Sequence, residues 1–579
     1  MNASSPRATS DALPRRWLLL FGLVCAFAYL WLFNWSESTN NPNENVRIYM
    51  TRAMAEHGTY AIGHREIVGG RQVDSGPILE EWGYVNDKAL RCQDSTQTAP
   101  KCTGNLYAGK APGLSFLGVV PLLVLRAGYS ALGWGQPSRA VVVWWLRLIV
   151  VVLPTLLAWL WLARHLVRRV DDPRLGLAAV LAAALGSLSL TYGQMFAGHQ
   201  PTGVALLVTF GAVVAAGSKG RPWLVVLAAF AGAWATVIEF PSGPAAALLL
   251  GWLLLRRRDW RDLGWLALGA AVPVALLAHF NASAFGKPWS LPYGFLENPG
   301  FVRDIAPGLF GISFPTLEKS AGSLISPFTG LYFWAPWVLL AFLGFLASRR
   351  SYAPAAAPSE STAARPSLWL DRRGEALVAS LICLYFLYFQ CSHSLWRGGW
   401  VIGPRYITGL VPFAAIAVAH GLDSLSGRAK SLTCLLFGVA AAVAVAVTGL
   451  ASSVSQGFPF ENYNPLPEMV QPLLQNGFVA RNPLMALGVA GPWSGLPYFL
   501  ALLAGALWVV WLVRPRSGSP AVRNAAVAAV LAIAMLAVLG LWHVGPGRRP
   551  HTDAALRGRM EAWTPANPPG SFIPPDLPN

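Results

Sequence analysis

The chain has 579 residues, of which 54% are hydrophobic and 12% are charged, and its formal net charge is +17 at pH 7. Soluble globular chains carry about 25% charged residues, so this composition excludes a soluble enzyme, a disordered chain and a secreted disulfide scaffold. It predicts an all-α polytopic membrane protein. The basic residues lie mostly in short clusters between apolar runs, as the positive-inside rule explains, so we expect no nucleic-acid partner.

Apolar runs divide the chain into about 13 predicted transmembrane helices, because one span needs about 20 mostly apolar residues. The runs lie near residues 17–34, 139–163, 174–192, 201–217, 222–239, 242–255, 262–282, 332–348, 375–391, 406–422, 431–450, 495–513 and 523–543. Four regions follow from them: a cytoplasmic N-terminus (1–16), a transmembrane core (17–450), an outer loop with the last two spans (451–543), and an extracytoplasmic Pro-rich tail (544–579).

One further apolar run, residues 113–133, either spans the membrane or lies in its interface. If it does not span, the basic clusters between the runs, such as Arg256–Arg258, all lie on the cytoplasmic side with Arg15–Arg16, as the positive-inside rule requires. Pro121 and Arg126 inside the run also suit an interfacial helix. We therefore predict a multi-pass protein of the cytoplasmic (inner) membrane with its N-terminus inside and its C-terminus outside.

A short amphipathic helix is predicted directly after the first span. Asn41 is a typical N-cap, Pro42 a typical first helical residue, and Gly58 a typical helix stop. Glu44 lies three residues after the cap, where a carboxylate can bond to the free amides of the helix start. The same carboxylate could be a general base in a cleft that faces the membrane, and both roles stay open.

Cys92 and Cys102 lie close together in the first outer loop (35–138), an oxidising compartment in the predicted topology. A disulfide between them would contribute about 2–3 kcal/mol, and two free thiols are the alternative. We predict no metal site, because a structural zinc site needs four ligands and the nine histidines form no ligand motif.

Single residues at the outer face are candidates for substrate contacts. Lys110 either extends to lipid headgroups or contacts a substrate phosphate. Arg405 follows a glycine-rich turn where backbone can approach a ligand closely, or it anchors an aromatic belt. His199, in a short outer turn, is either a structural residue or a ligand contact. Weaker candidates among the outward-facing charged residues are Glu239, Glu318, Lys319, Asp87 and Lys88.

Four short motifs occur in chain order. They are Glu44-x-x-Arg47, Tyr107-x-x-Lys110-x-Pro112-Gly113, Ser326-Pro327-x-x-Gly330-Leu331-Tyr332-x-x-x-Pro336, and Trp396-x-Gly398-Gly399 with Gly403-Pro404-Arg405-Tyr406. In this order and topology they resemble membrane glycosyltransferases of the GT-C superfamily, in the style of lipid A aminoarabinose transferases and protein O-mannosyltransferases. The resemblance departs from the superfamily pattern at Asn43-Glu44, which replaces Asp-Glu and puts Glu44 in the place of the catalytic aspartate. Ala111-Pro112 likewise replaces a proline pair.

This resemblance implies a GT-C fold and an inverting transferase that moves a sugar from a polyprenyl-phosphate donor to an acceptor on the outer side. Glu44 would take the acceptor proton, and Arg47 would hold Glu44 ionised or bind phosphate. Lys110 and Arg405 would stabilise the phosphate leaving group. The other predicted substrate contacts are Tyr107, Tyr406 and His199. The expected partners are the lipid-linked donor, membrane lipids and an acceptor that is a lipid, a glycan or a protein; no cofactor is expected.

Two other functions stay open at this point. A transporter or flippase for a lipid-linked sugar would carry ionisable residues inside its spans, whereas here most lie at one outer face, apart from Arg147 and Glu239. An O-antigen ligase or polymerase would centre on a late outer loop, whereas the carboxylate motif here lies in the first outer loop.

Overall fold

The structure, a computed structural model, describes residues 15–32, 41–94, 96–97, 99, 101–217, 221–349, 372–489, 491–516, 518–545 and 554. Most of the predicted N-terminal region 1–16 and most of the predicted tail 544–579 lie outside these residues, as do residues 33–34 of the first predicted run.

The first part of the described chain combines helices with a small sheet. Its elements are α1 (Arg15–Trp31), α2 (Pro42–His57), β1 (Gly63–Val68), β2 (Arg71–Ser75), α3 (Pro77–Trp82), β3 (Lys88–Cys92), β4 (Gly104–Ala108) and α4 (Gly113–Ala131). Helix α2 has the predicted ends: the Asn41 side chain caps it, Pro42 starts it, and Gly58 closes it in the left-handed conformation with a φ of 62°.

The remaining described chain is helical. Its helices are α5 (Arg139–Leu146), α6 (Leu153–Arg169), α7 (Pro173–Leu185), α8 (Leu188–Tyr192), α9 (His199–Ala216), α10 (Pro222–Ile238), α11 (Gly243–Arg257), α12 (Asp262–Phe285), α13 (Pro299–Ile305), α14 (Leu317–Leu324), α15 (Leu331–Trp334), α16 (Leu343–Arg349), α17 (Arg372–Ser392), α18 (Val411–Ser424), α19 (Gly427–Val454), α20 (Gln471–Gln475), α21 (Pro483–Ala486), α22 (Leu496–Val513) and α23 (Pro520–Trp542). Short 3₁₀ segments are Phe240–Ser242, Pro292–Phe295, Pro336–Phe342, Arg405–Leu410 and Gly491–Gly495, and π-helical segments are Arg147–Val152 and Leu466–Val470.

Within the described residues, nine helices are long and apolar enough to cross a membrane. They are Gly113–Ala131, Arg139–Arg169, His199–Ala216, Asp262–Phe285, Arg372–Ser392, Arg405–Ser424, Gly427–Val454, Gly491–Val513 and Pro520–Trp542. Eight of them (9 − 1) coincide with predicted spans, and the ninth, Gly113–Ala131, is the run that was predicted to be interfacial. The other predicted runs form shorter or interrupted helices. A mainly helical multi-pass architecture is therefore confirmed, but the count of thirteen spans is not.

Helix α4 runs parallel to α2 in direct contact with it. Near the start of the pair, the Ser115 hydroxyl donates a hydrogen bond to the Arg47 carbonyl oxygen at 3.0 Å. Towards its end, Arg126 forms an ion pair with Glu56 at 2.7 Å. Because α2 carries charged residues along its length, it is too polar to cross a membrane, and α4 is held at the same level. This packing supports the interfacial placement of α4, which stays a prediction.

The chain segment that joins α2 to α4 forms a four-stranded antiparallel sheet with strand order β2-β1-β4-β3. The expectation of an all-α protein was wrong for this segment. Strands are recognised in a sequence by alternating apolar residues, and here charged residues occupy some of the buried positions instead. Lys88 lies 2.5 Å from the Asp74 carboxylate, and Arg65 lies 2.6 Å from the same carboxylate. Glu297 also bonds to Arg65, at 2.5 Å, so the sheet is tied to the segment after α12.

The disulfide between Cys92 and Cys102 joins the end of β3 to the chain just before β4, with a Cα–Cα distance of 5.6 Å. The two cysteines lie ten residues apart in the sequence, so the bond closes a short loop at the edge of the sheet. The four other cysteines, Cys25, Cys383, Cys391 and Cys434, are free and buried.

Two hydrophobic cores stabilise the molecule. The larger core centres on α7 and α18, whose side chains are buried on every face, as expected for helices surrounded by other helices. The smaller core packs α2 and the sheet against α5 and the end of α12. The sheet and α2 therefore form a rigid platform on one end of the helix bundle, which we call the sheet end.

Candidate functional site

Charged and aromatic side chains from distant parts of the chain meet at the sheet end. We call this group the cation cluster; its members are Arg47, Asp87, Lys110, His199, Glu239, Tyr293, Lys319, His393, Arg405 and Tyr406. They come from α2, the loops before β3 and after β4, the start of α9, the residue after α10, the segments between α12 and α14, α14 itself, and the loop between α17 and α18. Five of the six predicted substrate contacts lie in it.

Arg47 and Glu239 form the ion pair at the base of the cluster. The Arg47 Nη2 donates to Glu239 Oε1 at 2.7 Å, and its Nη1 donates to the Asn43 carbonyl oxygen at 3.0 Å. The Arg47 side chain is fully buried, whereas the Glu239 side chain is 16% exposed. His199 Nδ1 lies 3.7 Å from Glu239 Oε1, which is beyond hydrogen-bond distance. Buried Arg47 therefore holds the partly exposed Glu239 carboxylate in the cluster.

A tight turn positions Arg405 at the sheet end, where the 3₁₀ segment before α18 begins. Gly403 in this turn has a φ of 63°, and a Cβ there would lie 2.5 Å from the Leu188 side chain, so only glycine fits. The Arg405 guanidinium donates to the Tyr406 hydroxyl at 3.3 Å and lies 5.1 Å from the centre of that ring. Among the described residues it forms no ion pair, so its charge is available to a ligand.

His393 lies beside Tyr406, with ring centres 5.3 Å apart. The Leu395 amide donates to His393 Nδ1 at 3.1 Å, which puts the ring proton of the neutral form on Nε2. Burial, followed by the charges of Lys319, Arg405 and Lys110, lowers the pKa of His393 to about 4. The imidazole is therefore neutral at physiological pH and adds no charge to the cluster.

The charges of the cluster do not cancel. Four cations (Arg47, Lys110, Lys319 and Arg405) face two carboxylates (Asp87 and Glu239), which leaves 4 − 2 = +2 for these six side chains. Three buried nitrogens, Arg47 Nε, Arg405 Nε and His199 Nε2, have no hydrogen-bond partner among the described residues. Buried polar atoms are normally paired, so these nitrogens and the excess charge indicate a site for an anionic ligand such as a phosphate.

An exposed apolar loop borders the cation cluster. Leu309, Phe314 and Leu317 are 68%, 83% and 88% exposed. The loop is fixed to the cluster at two points: Phe310 packs against Tyr293 with ring centres 6.0 Å apart, and Ile312 pairs with His393 in a β-bridge. The cation cluster and an exposed apolar surface thus lie side by side, as an amphiphile with an anionic head would require.

Glu44 lies behind the cluster rather than in it. Its two oxygens accept hydrogen bonds from Arg147 Nε at 2.6 Å and Arg147 Nη2 at 2.7 Å, and Oε1 also accepts one from the Phe196 amide at 2.7 Å. The side chain is completely buried. Two of the alternatives are therefore not found: the Glu44 oxygens bond to Arg147 and the Phe196 amide rather than to the free amides of α2, and Arg47 pairs with Glu239 rather than with Glu44. The alternative that Arg47 binds phosphate stays a prediction. The predicted role of Glu44 as base stays a prediction that this geometry does not favour.

The other predicted residues divide into two groups. Lys110 lies 3.3 Å from Asp87, and the Tyr406 ring packs edge-on against His199 with ring centres 5.9 Å apart, so both belong to the cluster. Tyr107, by contrast, is buried against Phe285, with ring centres 5.5 Å apart, and contacts the smaller core. It is a packing residue in this structure.

Sequence reasoning missed several members of the cluster. Tyr293 and His393 belong to no recognised motif, and Glu239, Asp87 and Lys319 were only weak candidates. The available signal was position, because each of the three charged residues lies next to a predicted outer end of a span or in an outer loop. Charge at such a position cannot by itself distinguish a ligand contact from a solvated pair.

Comparisons with known proteins were made for the whole chain. The crystal structures of ArnT from Cupriavidus metallidurans, in the apo state and bound to undecaprenyl phosphate, each align with a TM-score of 0.40 and 17% identity over 94% of this chain and 77% of ArnT. The cryo-EM structure of arabinosyltransferase EmbB from Mycobacterium smegmatis aligns with a TM-score of 0.37 and 14% identity over 97% of this chain and 43% of EmbB. No protein-family model and no curated protein matches the chain. TM-scores this low assign no activity, which therefore has to be inferred from the residues of the site.

Proposed function

We propose that this protein is an inverting glycosyltransferase that moves a sugar from a polyprenyl-phosphate donor to an acceptor on the extracytoplasmic side of the cytoplasmic membrane. The observation that carries the proposal is the cation cluster, with its net charge of +2, beside an exposed apolar loop. A polyprenyl-phosphate sugar has a phosphate head and a hydrocarbon tail, and it can enter such a site sideways from the bilayer.

The cluster suits a phosphate leaving group. Polyprenyl phosphate needs no proton to leave, but its growing negative charge must be stabilised as the glycosidic bond breaks. Among the residues that the structure describes, Lys110, Lys319 and Arg405 have no tight carboxylate partner, since the nearest such contact is the 3.3 Å distance from Lys110 to Asp87. These three side chains can therefore stabilise the negative charge that develops on the phosphate, whereas Arg47 is paired with Glu239.

The reaction then needs one further group. An acceptor oxygen attacks the anomeric carbon from the face opposite the phosphate, and the carbon–oxygen bond to the phosphate breaks with its electron pair. The acceptor proton passes to a carboxylate as the new bond forms. The configuration at the anomeric carbon inverts in this single displacement.

The proposed side of the membrane follows from charge and from the disulfide. The sheet end carries the Cys92–Cys102 bond, which forms in an oxidising compartment. The opposite ends of the helices carry basic residues, among them Arg168 and Arg169 at the end of α6 and Arg256 and Arg257 at the end of α11. Both features support the proposal that the sheet end lies on the extracytoplasmic side.

Labelling of introduced cysteines in intact cells tests this orientation. Asp94 and Arg168 are both exposed and lie at opposite ends of the structure, and the four native free cysteines are buried. A maleimide that cannot cross membranes should react with Asp94→Cys in intact cells, and with Arg168→Cys only after the cells are opened. The reverse pattern would place the cation cluster in the cytoplasm and contradict the proposal.

Reconstitution of the purified protein into liposomes tests the activity. A panel of polyprenyl-phosphate sugars is offered, and free polyprenyl phosphate is measured by mass spectrometry with and without candidate lipid, glycan and peptide acceptors. Release from at least one donor, lost in Arg405→Ala, is the expected result. Cleavage of polyprenyl-diphosphate sugars alone would indicate a ligase or polymerase, and movement of the intact donor across the bilayer would indicate a flippase; either result overturns the proposal.

A further inference from the structure

We infer that Glu239 is the carboxylate that accepts the proton of the acceptor; this inference rests on the proposed transfer reaction. Glu239 follows the last residue of α10, at the sheet end of the bundle, where the chain turns into a short 3₁₀ segment. Its side chain contacts Arg47 in the cation cluster, so it lies where the sugar and its phosphate would meet the acceptor.

The hydrogen bonds of the two glutamates distinguish their roles. Glu44 accepts three hydrogen bonds and has a fully buried side chain, so an acceptor hydroxyl cannot approach it. Glu239 accepts one hydrogen bond, to Oε1, and its Oε2 accepts none from the described residues. With a side chain that is 16% exposed, Glu239 has a free oxygen and an open approach. A general base must be within hydrogen-bond reach of the proton that it takes, and of the two glutamates Glu239 is the one that an acceptor hydroxyl can approach.

The surroundings of Glu239 fix its orientation. Arg47 holds Oε1 at 2.7 Å, and Oε2 accepts no hydrogen bond from the described residues. Gly198 lies against the same carboxylate, and a Cβ at that position would be only 2.3 Å from Oε1. The missing side chain of Gly198 is therefore what gives the carboxylate its space.

Glu44 fixes the segments that surround Glu239. Its hydrogen bond to the Phe196 amide fixes the segment that leads to Gly198 and His199, and its pairing with Arg147 fixes α2 against the π-helical segment. Asp87, the other carboxylate of the cluster, is 3.3 Å from Lys110 and serves the cation that faces the leaving group. Glu44 and Asp87 are thus positioning residues.

In the inferred step, the acceptor O–H bond breaks and its proton moves to Glu239 Oε2. The acceptor oxygen forms a bond to the anomeric carbon while the bond from that carbon to the phosphate oxygen breaks, and the electron pair leaves with polyprenyl phosphate. The atoms and charges balance without any further reactant.

The matched variants Glu239→Gln and Glu44→Gln test the assignment, because each replaces one carboxylate by its amide. In Glu239→Gln we expect kcat to fall by about 10²–10⁴-fold. Its affinity for polyprenyl phosphate and its KM for the donor should stay close to wild type, because the Gln oxygen can still accept from Arg47. Its thermal midpoint should fall by less than that of Glu44→Gln, because the Glu239 side chain is 16% exposed whereas the Glu44 side chain is completely buried. Gly198→Ala, which displaces the Glu239 carboxylate without removing it, should also lower kcat.

A nucleophile without a proton gives a sharper readout. Azide is anionic at neutral pH and needs no base, so Glu239→Gln should transfer the sugar to azide at the wild-type rate while failing with the hydroxyl acceptor. Glu44→Gln should be impaired with both nucleophiles, because a positioning defect does not depend on the acceptor.

The outcomes separate this inference from the proposed function. If wild type releases polyprenyl phosphate from no donor in the panel, the transfer reaction fails and the role of Glu239 fails with it. If wild type is active and Glu239→Gln keeps wild-type kcat, or transfers to azide as poorly as to the hydroxyl acceptor, only the Glu239 assignment is overturned.

Discussion

Replacement of Glu44 by Gln should destabilise the protein strongly, because it leaves the Arg147 charge buried without a counter-charge. The Arg147 and Glu44 side chains are 2% and 0% exposed, and they share two hydrogen bonds of 2.6 and 2.7 Å. Removing one partner of a buried ion pair typically costs about 3–5 kcal/mol. Since the Gln oxygen can still accept from the Phe196 amide, we expect the lower end of that range.

Thermal unfolding in detergent, followed by tryptophan fluorescence, measures this effect. Glu44→Gln should unfold several degrees below wild type. Glu239→Gln, measured in the same way, should lose less stability, because the Glu239 side chain is 16% exposed whereas the Glu44 side chain is completely buried. In the double variant Glu44→Leu/Arg147→Leu no charge is left buried, so it should be more stable than either single Leu variant, and a double-mutant cycle would give the coupling energy.

The opposite pattern would refute this reasoning. If Glu44→Gln unfolds at the wild-type temperature but turns over at least about 10²-fold more slowly, the carboxylate acts in the chemical step, as the sequence motif implies. Glu44 would then be the base, and the buried ion pair would be only its resting arrangement.

Three other outcomes are expected. Arg405→Ala should lower kcat/KM for the donor by a factor that corresponds to about 2–4 kcal/mol, measured in donor titrations. Arg405→Lys should not restore kcat/KM, since one ammonium group cannot replace the planar set of guanidinium donors. If kcat/KM is unchanged in both variants, Arg405 is only an interface anchor. Cys92→Ser with Cys102→Ser should cost about 2–3 kcal/mol, seen as faster proteolysis of the sheet segment, and equal cleavage rates would show that the bond adds nothing. The pKa of His393 is about 4 in the folded protein and about 6.5 for an ordinary histidine, so the unfolded state binds more protons between these values and stability falls as pH drops through that window. Between pH 7 and pH 4, the free energy of unfolding of His393→Asn should fall by about 2–3 kcal/mol less than that of wild type. Unfolding curves at several pH values measure this difference, and an identical fall in both proteins would rule out His393 as its source.

Local features of the sequence determined the helical elements. The ends of α2 at Asn41, Pro42 and Gly58 were predicted because capping and left-handed closure depend on residues within one turn of each other. The apolar runs became helices for a similar reason, since a membrane span must satisfy its backbone hydrogen bonds within the segment. The motif residues Arg47, Lys110 and Arg405 also reached one site, which the order of the outer loops had suggested.

The partners of the charged residues were decided only by the tertiary structure. Glu44 meets Arg147, 103 residues away, and Arg47 meets Glu239, 192 residues away. Both pairs depend on how α2 lies across the ends of distant helices, and nothing local in the sequence encodes that crossing. The small sheet was not predicted from the sequence for the same reason. Lys88 and Arg65 can be buried only when the fold brings Asp74 and Glu297 next to them. A carboxylate next to an arginine in the sequence is therefore weak evidence of an ion pair, since the fold decides which glutamate is enclosed and which stays open to react.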